Sequence, residues 1–337
     1  MLTIGMTYDL RSDYLRAGYT LEETAELDRD ETIDALEAAI RANGYKTVRI
    51  GNIRDLVGKL VAGERWDLVF NVCEGIRGTG RESQVPSLLD AYAIPYTMSD
   101  SLVLAVTLHK GMAKLVVRNA GIPTADFFVV NEPDDIGRVQ LPFPLFVKPT
   151  SEGTGKGVDG RSRIVDRDAL DRRCRELLDE YKQPVLVEAY LPGREFTVGI
   201  SGNGSAARVL GSMEIIFRET DQGNIYGYLN KEQSEQRMTY EPGNGELARQ
   251  AEEVALRSYR VLGCRDMARV DVRVDAAGVP CFIEVNPLPG LHPEHSDLPM
   301  LCAYRGIDYP ALIGMIVENA VVRTGKLVPA RRERSDF

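Results

Sequence analysis

Long apolar runs are absent from this 337-residue chain, and nothing in it approaches the roughly 20 uncharged residues that cross a bilayer. No membrane partner is expected. Cysteine is scarce and badly placed for cross-linking: Cys73, Cys174, Cys264, Cys281 and Cys302 are odd in number, scattered, and without the paired spacing of metal ligands. That argues against both a disulfide framework and a zinc site, and the cysteines read as buried thiols. Histidine is scarcer still, and His109, His292 and His295 share no metal-binding interval. Basic residues are outnumbered, 41 against 50 acidic ones, for a net charge of −9. Nucleic acid is thereby set aside as the main partner, while a local basic pocket for phosphates stays compatible. The one basic run, Arg331-Arg332-Glu333-Arg334, reads as a solvated end. Residues 1–5 show no basic leader ahead of an apolar segment and cleavage site, so no secretion signal is expected and the cytoplasm is the default compartment. Neither an internal repeat nor a low-complexity linker is present. What remains is the profile of a soluble globular enzyme long enough for two or three modules.

The first part of the chain alternates strand and helix. Residues 2–6 are a short apolar strand; after an acidic stretch, Ile33, Leu36 and Ile40 recur at helical spacing and Asn43-Gly44 supplies a stop. Residues 46–50 make a second strand, Ile53, Leu56, Val57 and Leu60 a second helix face, and residues 67–72 a third strand. This βαβαβ order predicts a parallel sheet with right-handed crossovers, whose ligands lie beyond the carboxyl ends of its strands. The third strand runs into residues 74–84, where Glu74, Arg81 and Glu82 gather at the point the sheet should open. That loop is a site candidate, with a flexible glycine connection as the competing reading. A helix through Val85, Leu88, Leu89 and Tyr92 and a turn at 94–97 close this part.

A further helical region carries His109, read as a packing or polar contact, and Lys110, and ends at 121–124. After a strand at 127–130, an apolar strand at 145–149 ends in Lys148-Pro149, and Glu152, Gly153, Thr154, Gly155, Lys156 and Gly157 follow at once. Glycines let backbone N–H groups turn toward phosphate oxygens and the lysines add charge, so this is a candidate phosphate cradle. A surface hairpin has the same composition, and neither the P-loop nor the dinucleotide glycine pattern is present. An amphipathic helix covers 168–181, a strand runs over 185–191 with Glu188, Tyr190 and Leu191, and residues 195–200 and 207–213 pair as antiparallel strands. Residues 226–240, polar and aperiodic, read as a substrate loop around Lys231, with Tyr226 and Tyr228 either lining a pocket or packing. A helix over 246–262 leads to the stretch that organises the chain.

There Val270, Val272 and Val274 alternate with Arg269, Asp271 and Arg273, a turn at 275–278 follows, and residues 279–286 return as the second arm of a hairpin. A turn centred between Ala276 and Ala277 sets Phe282 opposite Asp271 and Glu284 opposite Arg269, with Asp271, Glu284 and Asn286 on one face. Two carboxylates and an amide oxygen suit a hard divalent cation, most simply Mg²⁺ held against nucleotide phosphates. Arg269 beside them suits negative charge that develops during reaction. The bland alternative is a surface hairpin with a solvated polar face. Against it stands the exit through Pro287, Pro289, Gly290 and Pro293, a costly composition unless the backbone itself approaches a ligand.

Taken in order, F-V-K-P-T-S-E-G, V-L-V-E-A-Y-L-P-G-R-E-F-T-V and R-V-D-V with F-I-E-V-N-P-L-P-G resemble the motifs of the ATP-grasp superfamily, in its D-alanine–D-alanine ligase-like branch, over most of the chain. The resemblance implies an α/β chain whose C-terminal part is α+β: an N-terminal Rossmann-like parallel-sheet domain over 1–97, an ATP-grasp small subdomain with the glycine-rich loop over 98–190, and a C-terminal ATP-grasp domain with the Mg²⁺ site over 191–330. It implies ATP, with Mg²⁺ or Mn²⁺ as the metal. Lys110 and Lys148 would contact ATP phosphates or adenine, and the loop with Glu152, Gly153, Thr154 and Gly155 would close over the reacting groups. Glu188 with the backbone at Tyr190 and Leu191 would hold the adenine edge, and Glu195 the ribose hydroxyls. Lys231 would reach the γ-phosphate, and Asp271, Glu284 and Asn286 would bind the metal. Arg269 and the Gly290 backbone would stabilise the tetrahedral intermediate, and Ser296 would help hold an acceptor carboxylate. A small carboxylate and an amine, amino-acid-like, would join through an acyl phosphate into an amide. A homodimer is implied as well.

The substrate end departs from that branch. Where the dipeptide ligases carry a glycine-rich, serine–glutamate motif, this chain has Thr7-Tyr8-Asp9-Leu10-Arg11-Ser12-Asp13. Glu74, Arg81 and Glu82 fall where a His-Gly start and a Gly-Glu-Asp-Gly loop are expected; Glu232 follows Lys231 in place of a tyrosine, and Lys156 is an added charge. The expected function is an ATP-dependent carboxylate–amine ligase. The alternatives are an authentic D-alanine–D-alanine ligase with an altered pocket and a non-catalytic nucleotide-binding scaffold, and the intact set Arg269, Asp271, Glu284 and Asn286 argues against the scaffold.

Overall fold

The computed structural model describes residues 1–217 and 238–325. In the first sheet β1 (Thr3–Thr7) lies between β2 (Lys46–Gly51) and β3 (Leu68–Asn71), all parallel. Each crossover is a helix with one apolar face: Asp30–Ala42 buries Ile33, Leu36 and Ile40, and Ile53–Val61 buries Leu56 and Leu60. Asn52 and Asp55 start the second of these with reciprocal side-chain-to-backbone bonds. The rest of this core comes from far along the chain. Helix Tyr309–Arg323 returns to bury Leu312, Ile313, Ile316 and Val317 in the same cluster as Ile33 and Leu36, and Asn43 donates to the Pro310 carbonyl at 2.8 Å.

The second sheet is antiparallel, in the order β4-β7-β5-β6, from β4 (Phe127–Val130), β5 (Leu145–Pro149), β6 (Arg163–Ile164) and β7 (Val185–Ala189). Helix Arg167–Tyr181 covers it with Leu170, Cys174 and Leu177. The third sheet contains β8 (Glu195–Ser201), β9 (Arg208–Phe217), β10 (Met238–Pro242), β11 (Met267–Val274) and β12 (Pro280–Asn286), in the order β10-β9-β8-β11-β12. Helix Gly245–Val261 lays Ala248, Ala251, Ala255 and Tyr259 against it. All five cysteines are buried and free. Among the described residues no single helix is long and apolar enough to cross a membrane.

Local expectations change where the site is built. The helical region around His109 is two helices, Ser101–Leu108 and Lys110–Asn119, because His109 is extended and its ring accepts the Met112 N–H at 3.3 Å as a cap. The break sends the Lys110 N–H to the Thr150 carbonyl at 2.9 Å, beside the glycine-rich loop. The strand expected over 185–191 ends at Ala189, so Tyr190 and Leu191 lie in the connection to β8.

The register of the hairpin is also corrected. Asp271 stands opposite Glu284 and Arg269 opposite Asn286, while Phe282 faces Val272. The ladder skips Ile283, a β-bulge. In a regular strand Phe282 and Glu284 would share a face; the extra residue sends Phe282 into the core, fully buried, and leaves Glu284 beside Asp271. Nor is this a surface hairpin, because β11 is also paired to β8 and buried along its whole length.

Candidate active site

Two cavities meet where the second and third sheets face each other. The smaller, a slot of about 100 Å³, lies between the glycine-rich loop, the start of β8 and the second half of β12, and is lined by Lys148, Glu188, Tyr190, Leu191, Glu195, Asp271 and Gly155. The larger, a chamber of about 580 Å³, takes Arg269, Asn286, Gly290 and Ser296 from the third sheet and its exit, Gly153 and Thr154 from the loop, and Glu74 and Glu82 from the first sheet's side. Lys110, Glu152 and Glu284 line both. Lys231, with Tyr226, Tyr228 and Glu232, lies outside the described residues.

The slot is organised by ion pairs. Glu188, on β7, pairs with Lys148 at 3.1 Å and with Lys114 at 2.8 Å. Burial alone pushes its carboxyl up; the two ammonium groups more than reverse this and hold it at about 2. Lys114 is fully buried and was not anticipated, and it also donates to Thr124 Oγ1 at 2.9 Å and the Phe282 carbonyl at 3.2 Å. Its signal is visible in hindsight, one turn after Lys110 on the same helix face. Arg273 donates to Glu195 at 3.0 Å and, with Arg163, stacks over the Tyr190 ring at 5.7 and 5.1 Å. Glu195 is nevertheless raised, chiefly by burial.

At the junction Lys110 Nζ donates to the Glu152 carbonyl at 2.6 Å and pairs with Glu284 at 3.4 Å. Arg269 holds Asp271 in a fork, Nε to Oδ1 at 3.1 Å and Nη2 to Oδ2 at 2.9 Å, and its Nη1 donates to Asp297 at 2.8 Å. Thr197 and Asn286 complete Asp271 at 2.8 and 3.2 Å. Burial raises the Asp271 carboxyl, Arg269 opposes that, and Glu284 across the ladder adds repulsion. Among the described residues no three His, Cys, Asp or Glu side chains cluster as a metal site; the candidate set here is two carboxylates and an amide.

Gly290 packs so closely that a Cβ would come within 2.8 Å of Ser296 Oγ, which accepts the His292 N–H at 3.0 Å. Ser296 thus shapes the turn that presents Gly290, besides facing the chamber. Thr154 is held at φ +52°, a region a β-branched residue rarely enters, and its Oγ1 is buried without a hydrogen-bond partner.

Arg81 differs from the expectation. It does not line the chamber but donates to Glu26 at 2.6 Å and to the Ser151 carbonyl at 2.7 Å. Glu74, Glu82 and Asp28, by contrast, face the chamber with no hydrogen bond or ion pair to their side chains among the described residues. Burial raises all three: Glu82 to about 7 despite Arg81, Asp28 to about 7 with help from Asp9, and Glu74 upward with help from Glu82.

A glycine-rich loop and two antiparallel sheets closing on a slot whose lysines are held by glutamates define an ATP-grasp ligase. Comparison with known proteins agrees. The C-terminal family model of the D-Ala-D-Ala ligases matches residues 116–318. A D-alanine–D-alanine ligase of Rhodospirillum rubrum is 31% identical over 314 residues, 92% of this chain and 98% of the relative. In fold, the Bacillus anthracis D-alanine–D-alanine ligase crystallised with ATP aligns at a TM-score of 0.71 and 24% identity, over 96% of this chain and 99% of that one. The VanG D-Ala:D-Ser ligase of Enterococcus faecalis aligns at 0.72 and 18% identity, over 95% and 99%. The chain belongs to the D-alanine–D-alanine ligase family, ATP-dependent enzymes acting on small molecules.

Proposed function

We propose that this enzyme joins an amino-acid-like carboxylate to an amine through an acyl phosphate, with Mg²⁺-ATP as the phosphoryl donor. The observation that carries the reading is the pair of cavities sharing Lys110, Glu152 and Glu284, which lets one substrate in the slot meet another in the chamber. In this assignment Lys148 and Lys110 face phosphates, and Glu188 acts by holding Lys148 as well as lying at the adenine edge with Tyr190 and Leu191. Glu195 takes ribose hydroxyls with the oxygen that Arg273 leaves. The unpartnered Thr154 hydroxyl and the loop amides fit phosphate oxygens.

The donor set fits a hard cation: Asp271 and Glu284 repel each other across the ladder, and a cation relieves that. Each Asp271 oxygen already accepts two hydrogen bonds, so Asp271 ligates by giving up one of them. When bound, Mg²⁺ offsets phosphate charge.

A carboxylate oxygen attacks the γ-phosphorus and ADP leaves; the amine then attacks the acyl carbon, phosphate leaves with the bonding pair, and the nitrogen loses its proton. Arg269, fixed by Asp271 and Asp297, and the Gly290 N–H oppose the charge on the tetrahedral carbon's oxygen. In this reading the enzyme is a cytoplasmic homodimer.

A second reading, an authentic D-alanine–D-alanine ligase, draws on the name of the Rhodospirillum rubrum relative. ADP release with Mg²⁺-ATP against single and paired D- and L-amino acids, with mass spectrometry of each product, separates the two. An amide from a pair other than two D-alanines is expected; the D-alanine dipeptide from D-alanine alone selects the second reading. No ADP release with any pair, in protein that binds ATP, overturns both.

A further inference from the structure

Glu26 lies just ahead of helix Asp30–Ala42, far in sequence from the glycine-rich loop, yet it holds that loop from across the chamber. Its Oε1 accepts the Gly153 N–H at 2.6 Å and the Lys156 ammonium at 3.1 Å. Its Oε2 accepts Arg81 Nη2 at 2.6 Å, and the other terminal nitrogen of Arg81 donates to the Ser151 carbonyl at 2.7 Å. The side chains of Glu26, Arg81 and Lys156 are only 8 to 10% exposed, so these bonds are poorly screened. Lys156 also pairs with Glu152, which takes the Gln183 amide at 2.7 Å. Gly153 has no room for a side chain, since a Cβ would lie 2.9 Å from Glu26 Oε1. One exposed tie runs alongside, the Tyr181 hydroxyl donating to Glu22 at 2.9 Å. Glu26 lines the chamber and Lys156 lines the slot, so this ion pair bridges the two cavities.

We propose that Glu26 is a positioning residue for the nucleotide: with Arg81 it clasps the glycine-rich loop to the N-terminal side of the molecule and sets Lys156 and the loop amides beyond Gly153 against the phosphates. This rests on the slot being the nucleotide site. Burial raises the Glu26 carboxyl, and Arg81 and Lys156 more than reverse the effect, leaving it at about 2 and charged throughout the working range. A neutral amide of the same shape loses the charge and turns one of the two acceptor oxygens into a donor, so it cannot accept from Arg81 on one side and from Gly153 and Lys156 on the other at the same time.

The test uses the full chain, a non-hydrolysable ATP analogue with Mg²⁺, and limited subtilisin cleavage of the loop without ligand. Glu26→Gln is expected to weaken analogue binding about tenfold, the scale of a lost charge-assisted bond, and to speed loop cleavage while the protein stays folded. Lys156→Met should cost less affinity in the Glu26→Gln background than in wild type, a coupling that general loosening would not produce. Glu23→Gln removes the same charge from the same segment, where among the described residues the carboxylate bonds only Thr20, and should leave both readouts unchanged. If Glu26→Gln does not fold, Glu26→Asp, which keeps the charge and shortens the reach, stands in with the same expectations. A folded variant with wild-type cleavage and affinity overturns the proposal, and so does faster cleavage with unchanged affinity. Wild-type protein that binds no analogue removes the nucleotide reading and the clasp's purpose with it; a cleavage difference that persists then locates the failure in that reading.

Discussion

The nucleotide slot and the far wall of the chamber both bury carboxylates, and they settle the charge in opposite ways. In the slot Glu188 sits between Lys114 and Lys148, and on the loop side of the chamber Glu26 sits between Arg81 and Lys156; both are held near 2. On the far wall Glu74, Glu82 and Asp28 are paired with no such cation among the described residues, and burial raises all three. The nearby basic side chains are committed elsewhere: Arg81 and Lys156 to Glu26, Lys110 to Glu152 and Glu284. Paired carboxylates shape a site; unpaired ones beside a cavity are available to whatever enters it.

The comparison breaks most sharply at the junction. Asp271→Asn or Glu284→Gln is expected to lower kcat by about 10³-fold or more, because each removes a charge that organises metal and phosphate. Steady-state kinetics near wild type for both would take the hairpin out of the chemistry.

Stability should then separate the two walls by sign. Glu188→Gln removes the counterion that buried Lys114 and Lys148 share and should cost about 3–5 kcal/mol in urea unfolding. Glu82→Gln removes a carboxylate whose ionisation the fold opposes, so it should stabilise the protein at pH 8 and do little at pH 4. If the far wall binds substrate, the same variant raises the KM of the amino-acid-like substrate roughly tenfold while ATP affinity holds.

The smallest effect is the pH dependence. Glu82 and Asp28 are raised to about 7 from ordinary values of 4.5 and 3.8, so between those limits the folded protein binds more protons than the unfolded chain. Their contribution is present at low pH and is lost as pH rises toward 7 and beyond. Glu26 and Glu188, lowered from 4.5 to about 2, contribute above 4.5 and lose that contribution as pH falls toward 2. Urea midpoints at pH 5 and pH 8 should show a decline at the higher pH that shrinks in Glu82→Gln; an equal decline in that variant assigns it to other groups.

Periodicity and local composition were enough for the parallel sheet, the strand ending in Lys148, the glycine-rich loop and the hairpin with Arg269, Asp271, Glu284 and Asn286, because each is a short-range pattern written in consecutive residues. Lys114 was within reach of the same reasoning, one turn after Lys110. The bulge at Ile283 was not: a strand's pattern counts residues by twos, and only packing against the core decided that Phe282 turns inward while Glu284 meets Asp271. Glu26 left no local trace, since its partners Arg81, Gly153 and Lys156 are brought to it by the packing of separate sheets. Arg81 likewise looked like a chamber residue until the fold supplied a carboxylate to turn it away. The sequence alone determined which chemistry this protein could hold, because side-chain types and their local spacing are covalent facts. Only the tertiary structure decided which charges are paired and which are left for a ligand, because pairing is set by distances between residues remote in the chain.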